Sequence, residues 1–210
     1  MNIAESYKTL LKASEGSYKE KGSKFLAFAY PIKTEEDVKE ILLRLKKKYH
    51  DARHHCYAYK IGTGEDQYRA NDDGEPSGTA GKPILGQIHS AGLTNVIIVV
   101  IRYFGGTLLG TGGLIRSYRT AAANSISTNN ISEIIIKKWF RIHFRYPQIN
   151  EVMKILKEGN IKPHDPEYGE QCKMAIAVPL SGIPSILNKM GILNDLSINE
   201  IEAPQNLKKL

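Results

Sequence analysis

Six β-branched residues stand in an unbroken row, Val96-Ile97-Ile98-Val99-Val100-Ile101, between Asn95 and Arg102. A continuous aliphatic run of strand length has no polar alternation to offer water, so it fits a strand buried on both faces. The strand opens into Gly105-Gly106-Thr107-Leu108-Leu109-Gly110-Thr111-Gly112-Gly113. Leu114 to Ser127 then reads as a helix, with Ile115, Tyr118, Ala122 and Ile126 on one side. Strand, glycine-rich turn and helix in this order aim backbone N–H groups and the positive end of a helix dipole at an anion. Glycines let the backbone approach a ligand closely, and they equally allow tight packing of strand, turn and helix with no ligand at all. The spacing fits neither GxGxxG nor the GxxxxGK loop, and Leu114 and Ile115 stand where a phosphate-binding lysine would be, which disfavours a nucleoside triphosphatase. The aliphatic run is also far shorter than the about 20 residues a membrane span needs.

Around this centre, Lys24 to Tyr30 reads as a strand ended by Pro31. Thr34 to Tyr49 reads as a helix. Thr34 can cap it, Glu35, Glu36 and Asp37 put negative charge in its first turn, and Val38, Ile41, Leu42, Leu45 and Tyr49 recur at helical spacing. Arg53 to Lys60 reads as a strand before the turn-rich Gly62-Thr63-Gly64. From Asn71 to Lys82 breakers outnumber apolar residues, so a loop is expected, and loops of this length are more often functional than accidental. The polar stretch Ser127-Thr128-Asn129-Asn130 marks a domain boundary. Beyond it come a strand (Lys138–Tyr146), a helix (Gln148–Glu158), two strands (Ile161–Asp165, Gln171–Val178), a helix (Gly182–Met190) and a strand (Leu196–Glu202). That is the order of the split βαβ, ferredoxin-like motif. The expected fold class is α+β: an α/β domain over residues 1–130, then a ferredoxin-like βαββαβ domain over 136–204.

The net charge of +7 invites a polyanionic partner. It is spread along the chain, with 18 Lys and Arg against 14 Asp and Glu up to Ile135 and 11 against 8 afterwards, so neither half is a basic tail. The densest run, Lys46-Lys47-Lys48 after Arg44, closes the Thr34–Tyr49 helix, where cations complement the dipole. Two cysteines, Cys56 and Cys172, cannot form a disulfide framework, and Met1 to Ser6 lacks the regions of a signal peptide. A cytoplasmic location is expected.

Arg116 and Arg119 lie three apart on the helix after the glycine loop, and Arg102 precedes that loop. Together they could give charge-assisted contacts to phosphate. Asp72, Asp73 and Glu75 are close enough in sequence to ligate a hard cation or share acid–base work, although Asp-Asp-Gly is more often turn chemistry. His54 and Cys56 share one strand face and His55 the other, and no CxxC or HExxH accompanies them, so zinc is not expected. No GxSxG elbow or triad order is present. Neither a metal nor a cofactor is implied, and no catalytic residue is assigned.

Three stretches nevertheless occur together in order: Asp51-Ala52-Arg53-His54-His55-Cys56, then Asp72-Asp73-Gly74-Glu75-Pro76-Ser77-Gly78-Thr79-Ala80-Gly81-Lys82-Pro83, then Val99-Val100-Ile101-Arg102-Tyr103-Phe104-Gly105-Gly106 through Gly110 to Gly112-Gly113-Leu114. In these the chain resembles the YigZ/IMPACT family. The resemblance implies an N-terminal α/β domain of the kind seen in the second domain of a small-subunit ribosomal protein and in GHMP kinases. It also implies a small second domain similar to the last domain of elongation factor G. Eukaryotic relatives regulate translation initiation by competing for an activator of a stress-response kinase. This chain lacks their N-terminal partner-binding domain, so that mechanism is not expected to transfer.

The leading expectation is a non-enzymatic, translation-associated protein that binds RNA or a ribosomal surface. Arg102, Arg116, Arg119 and Lys82 would meet phosphate, Gly105, Gly106, Gly110, Gly112 and Gly113 would allow close approach, and Lys21, Lys24, Arg53 and His54 would extend the basic surface. Asp72, Asp73, Gly74, Glu75 and Pro76 form the family-motif loop. A rival reading is an enzyme acting on a small phosphorylated or acidic metabolite, with the acids and the glycine loop in one cleft. A third is a protein-interaction module for a protein of the translation machinery, whose acids and glycines serve only its own fold. Carboxylates of the acidic loop bonded to backbone N–H groups would favour the third. No membrane partner is expected.

Overall fold

The computed structural model describes residues 5–63 and 67–204. The chain divides into two compact units, one of Tyr7–Ile134 and one running from Ile135 onward together with the first residues up to Ser6. The expected boundary at Asn129-Asn130 falls a few residues earlier, because Ile131–Ile135 is a strand (β7) that pairs with Ser6–Leu10 (β1) in a two-stranded sheet.

The first unit is built on a five-stranded sheet of Ser14–Glu20 (β2), Ser23–Pro31 (β3), Val96–Tyr103 (β6), His54–Ile61 (β4) and Gln67–Asn71 (β5), in that spatial order. Every pairing is antiparallel. The aliphatic run lies in the central strand, and all six of its side chains are fully buried. Val96, Ile98 and Val100 face one core with Gly81–Ser90 (α2) and Gly110–Ser127 (α3). Ile97, Val99 and Ile101 face the other, under Glu35–Lys48 (α1). Helices on both faces therefore explain an unalternated strand inside an antiparallel sheet.

Helix α1 starts as its sequence suggests. The Thr34 hydroxyl accepts the Asp37 N–H at 3.2 Å while the Asp37 carboxylate accepts the Thr34 N–H at 2.9 Å, a reciprocal capping box. The polar edge strand β2 is covered by α3. A Cβ on Gly16 would lie 2.3 Å from the Ser125 nitrogen, so only glycine fits there. Asn124 Nδ2 and the Thr128 hydroxyl donate to the Ser17 and Glu15 carbonyls, each at 2.9 Å, which occupies acceptors that an edge strand would otherwise offer to another chain.

Three differences from the sequence reading bear on the site. Helix α3 begins at Gly110, one turn before Leu114, so Gly110, Gly112 and Gly113 belong to its first turn rather than to the loop. The stretch expected to be loop throughout is bounded by β5, which includes Asn71, and by α2, which begins at Gly81. Gly81 and Pro83 disguise that helix, yet first-turn N–H groups have no intrahelical partner, so a proline there forfeits nothing. The expected turn at Gly62-Thr63-Gly64 ends outside the described residues.

In the second unit, Lys137–Arg145 (β8), Ile149–Glu158 (α4), Pro163–Glu167 (β9), Gln171–Pro179 (β10), Ile183–Gly191 (α5) and Ser197–Ile201 (β11) follow the βαββαβ order. Its sheet runs β11-β8-β10-β9, antiparallel throughout. Phe140, Ile142 and Phe144 of β8 and Cys172, Met174, Ile176 and Val178 of β10 pack against Val152, Leu156, Ile186 and Met190 of the two helices. Both helices thus lie on one face. The α+β class and the ferredoxin-like second half are as the sequence reading expected.

Candidate functional site

The acidic loop is an internal scaffold of the first unit. Glu75 is buried, and one of its carboxylate oxygens accepts Arg102 Nη1 and the Tyr118 hydroxyl, both at 2.7 Å. The Arg102 guanidinium also lies 5.6 Å from the centroids of both the Phe25 and Phe104 rings. The Cys56 thiol donates to the Asp72 carbonyl at 3.0 Å and sits 3.3 Å from the Tyr118 oxygen. Burial pushes both the Cys56 thiol and the Tyr118 hydroxyl well above their usual pKa values. A thiol held protonated in this way is a packing group rather than a nucleophile.

Asp72 supplies the start of α2. The helix's N-cap, Ala80, has no side-chain acceptor of its own, and Asp72 Oδ1 accepts the N–H groups of Ala80 at 2.9 Å and Gly81 at 2.8 Å. Its Oδ2 accepts the Gly78 N–H at 2.8 Å. Burial alone would raise this carboxyl pKa, but the three N–H bonds and nearby Lys82 outweigh it and hold it below the ordinary aspartate value. Asp73 takes positive φ of 40° beside Gly74 at 87°, and in that turn its carboxylate accepts the His55 N–H at 2.7 Å. Its carbonyl lies 2.9 Å from His54 Nδ1, and its carboxylate is 3.7 Å from Lys46 Nζ. The carboxylates of Asp72, Asp73 and Glu75 are therefore each engaged by the fold, while Pro76 is exposed.

The glycines divide by function. A Cβ on Gly105 would lie 1.9 Å from the Gly22 carbonyl carbon, so the loop after β6 rests directly on the β2–β3 turn. The Gly105 N–H also donates to the Ser23 hydroxyl at 3.1 Å. Gly106, Gly110 and Gly112 face open space. Gly106 and Gly110 have φ of 84° and 68°, which favours glycine without any contact.

The cations expected on one phosphate surface do not gather there. Arg102 continues the inward parity of Ile98 and Val100, is 6% exposed, and pairs with Glu75, so its guanidinium is committed to the interior. Arg116 is exposed and reaches back to Glu20 at 3.7 Å. Lys24 shares its face of β3 with Leu26 and Phe28, the α1 side of the sheet, and Lys21 is exposed in the β2–β3 turn at φ of 44°. Arg53 is exposed just before β4.

Lys82 and Arg119, by contrast, both line a cleft of about 490 Å³ between α2 and α3. Pro83, Gln87, Ser90 and Ile115 also line it, and no Asp or Glu does. Gln87 and Ser90 lay outside the sequence reading because α2 itself did. The available signal was the buried pair Ile84 and Ile88 at helical spacing. Among the described residues, no group of three or more His, Cys, Asp or Glu side chains is arranged to hold a metal ion. No helix among them is long and apolar enough to cross a membrane.

Fold and site together define a two-domain α+β protein whose acid and glycine motifs build the first domain around a buried arginine–glutamate pair. The family model of the Impact N-terminal domain matches residues 21–126, which contain all of those motifs, and the chain belongs to the IMPACT family. It is 33% identical over 168 residues to the IMPACT family member YvyE of Bacillus subtilis, covering 80% of this chain and 77% of that protein. It is 30% identical over 187 residues to the IMPACT family member YigZ of Escherichia coli, covering 86% and 92% respectively. A crystal structure of a hypothetical protein, 27% identical, superposes over 96% of this chain and all of that one with a TM-score of 0.69.

Proposed function

We propose that this protein is a cytoplasmic, translation-associated regulator that binds RNA phosphate or an RNA-bearing ribosomal surface through the α2–α3 cleft. The observation that carries this reading is the convergence of Lys82 and Arg119 from two helices on a cleft free of carboxylates. Membership of the IMPACT family supports the translational setting. Arg102 and the acidic loop enter this reading as scaffold: Asp72 holds the start of α2, and Glu75 ties Arg102 to Tyr118 of α3. A pair of exposed cations gives attraction without base recognition, so salt should weaken binding steeply.

The internally bonded acidic loop favours a second reading, a protein-interaction module that meets a protein of the translation machinery. Co-sedimentation with purified ribosomes separates the two. Under the first reading the full chain pellets with ribosomes at low salt, is released as salt rises, and loses most of its pelleting in Lys82→Ala/Arg119→Ala. Pelleting that neither salt nor this double variant alters would contradict it and favour the second.

A further inference from the structure

The second unit leaves one whole face of its sheet without a helix, because α4 and α5 both pack on the other side. Residues of alternate parity on β8 project from this open face: Trp139, Arg141 and His143, which are half-buried or exposed. Their neighbours in register are small or polar except for Ile201, which flanks Trp139 from β11. Trp139 stands beside Ala177, Arg141 lies between Ala175 and Asn199, and His143 lies between Lys173 and Ser197. His164, opposite Ala175 on the edge strand, brings its ring to 5.0 Å from that of Trp139, tilted by 59°. The nearby acid on this face, Glu167, is held by Lys173 at 2.8 Å. A sheet face built for burial would be mainly aliphatic, whereas this one carries a single isoleucine, Ile201, and a tryptophan with Arg141 two residues along the same strand.

We propose that this face is a platform for single-stranded RNA, with a base stacked on Trp139 and its phosphate on Arg141. The chemistry selects that occupant. An indole set between Ala177 and Ile201 offers a flat surface to an unpaired base, and the positive charge of Arg141 complements a phosphate backbone. Paired RNA keeps its base faces stacked inside the helix and would leave Trp139 unused. The proposal rests on the reading of the chain as an RNA-binding protein and adds a second contact, in the other unit, for the same class of ligand.

The test exploits the fact that Trp139 is the only tryptophan in the chain. The full-length protein is titrated at low salt with an oligouridine of about 10 nucleotides, within the usual site size of such platforms. Anisotropy of a labelled oligonucleotide reports binding anywhere, and tryptophan fluorescence reports this face. The expected result is quenching that tracks the anisotropy, with little quenching by a duplex of equal length. Arg141→Ala should weaken the affinity and Trp139→Ala should weaken it by about 5-fold or more, with Trp139→Phe retaining most of it. Should Trp139→Ala fail to fold, Arg141→Ala with the native tryptophan still decides. Anisotropy without quenching, abolished by Lys82→Ala/Arg119→Ala, would overturn the platform and leave the cleft standing. Quenching by RNA-free ribosomal protein but not by the oligonucleotide would overturn it in favour of a protein partner. No binding by either signal would overturn both the platform and the RNA reading beneath it.

Discussion

Arg102 and Glu75 meet as an ion pair at 2.7 Å in the interior of the first unit, with side chains only 7% and 3% exposed. The Tyr118 hydroxyl bonds the same carboxylate oxygen, so β6, the acidic loop and α3 are tied at one point. Charges taken out of water must be compensated where they lie. Removing one partner of such a pair leaves the other unpaired and costs about 3–5 kcal/mol, while removing both together costs much less. Glu75→Gln is therefore expected to lower unfolding free energy in urea by about 3 kcal/mol or more, and Glu75→Gln/Arg102→Met should regain part of that loss. A single variant as stable as the parent would show that the pair does not bear this load.

Asp72 links stability to pH. Burial alone would raise its carboxyl pKa, but the N–H groups of Gly78, Ala80 and Gly81 together with nearby Lys82 outweigh that and hold it below the ordinary aspartate value. A depressed native pKa means the unfolded chain binds the proton first as pH falls, so the stabilisation is complete above the ordinary value of 3.8 and is lost as pH drops through the native one. Asp72→Ala should cost about 1–2 kcal/mol at neutral pH, as the loss of a helix cap does. Its deficit relative to the parent should shrink in acid. A deficit constant down to the acid transition would contradict the assignment.

Two glycines of the same loop-and-helix segment should respond in opposite directions. Gly105→Ala forces a Cβ into the Gly22 backbone, and overpacking of that kind typically costs about 1–3 kcal/mol. Gly112→Ala meets nothing within 4 Å and sits in α3, where replacing glycine by alanine gains up to about 1 kcal/mol. Thermal midpoints of the two variants should therefore fall on either side of the parent's.

Much of this was legible in the chain. The uninterrupted Val96–Ile101 run announces a strand covered on both sides, and the acid-capped, basic-ended stretch after Thr34 announces α1. The alternation from Val96 through Ile98 and Val100 also places Arg102 facing inward, where it pairs with Glu75. Helix α2 was hidden because Gly81 and Pro83 are breakers in a helix interior and harmless in a first turn. Strand β2 was hidden because it is a polar edge strand whose partner, α3, lies more than a hundred residues later, as the Ser14–Ser125 hydrogen bond shows. Local patterning reports local preference, and the pairing of Arg102 with Glu75 or the placing of Lys82 and Arg119 on one cleft is set by the tertiary fold.

The most direct test of the account is the salt dependence of RNA binding by the parent and by Lys82→Ala/Arg119→Ala. Each phosphate contact on a single strand contributes about 0.7 to the slope of log K against log salt. If Lys82 and Arg119 each neutralise one phosphate, the double variant should bind more weakly and its slope should be shallower by about 1.4. An unchanged slope with unchanged affinity would contradict the claim that these two cations, brought together by α2 and α3, meet the polyanion.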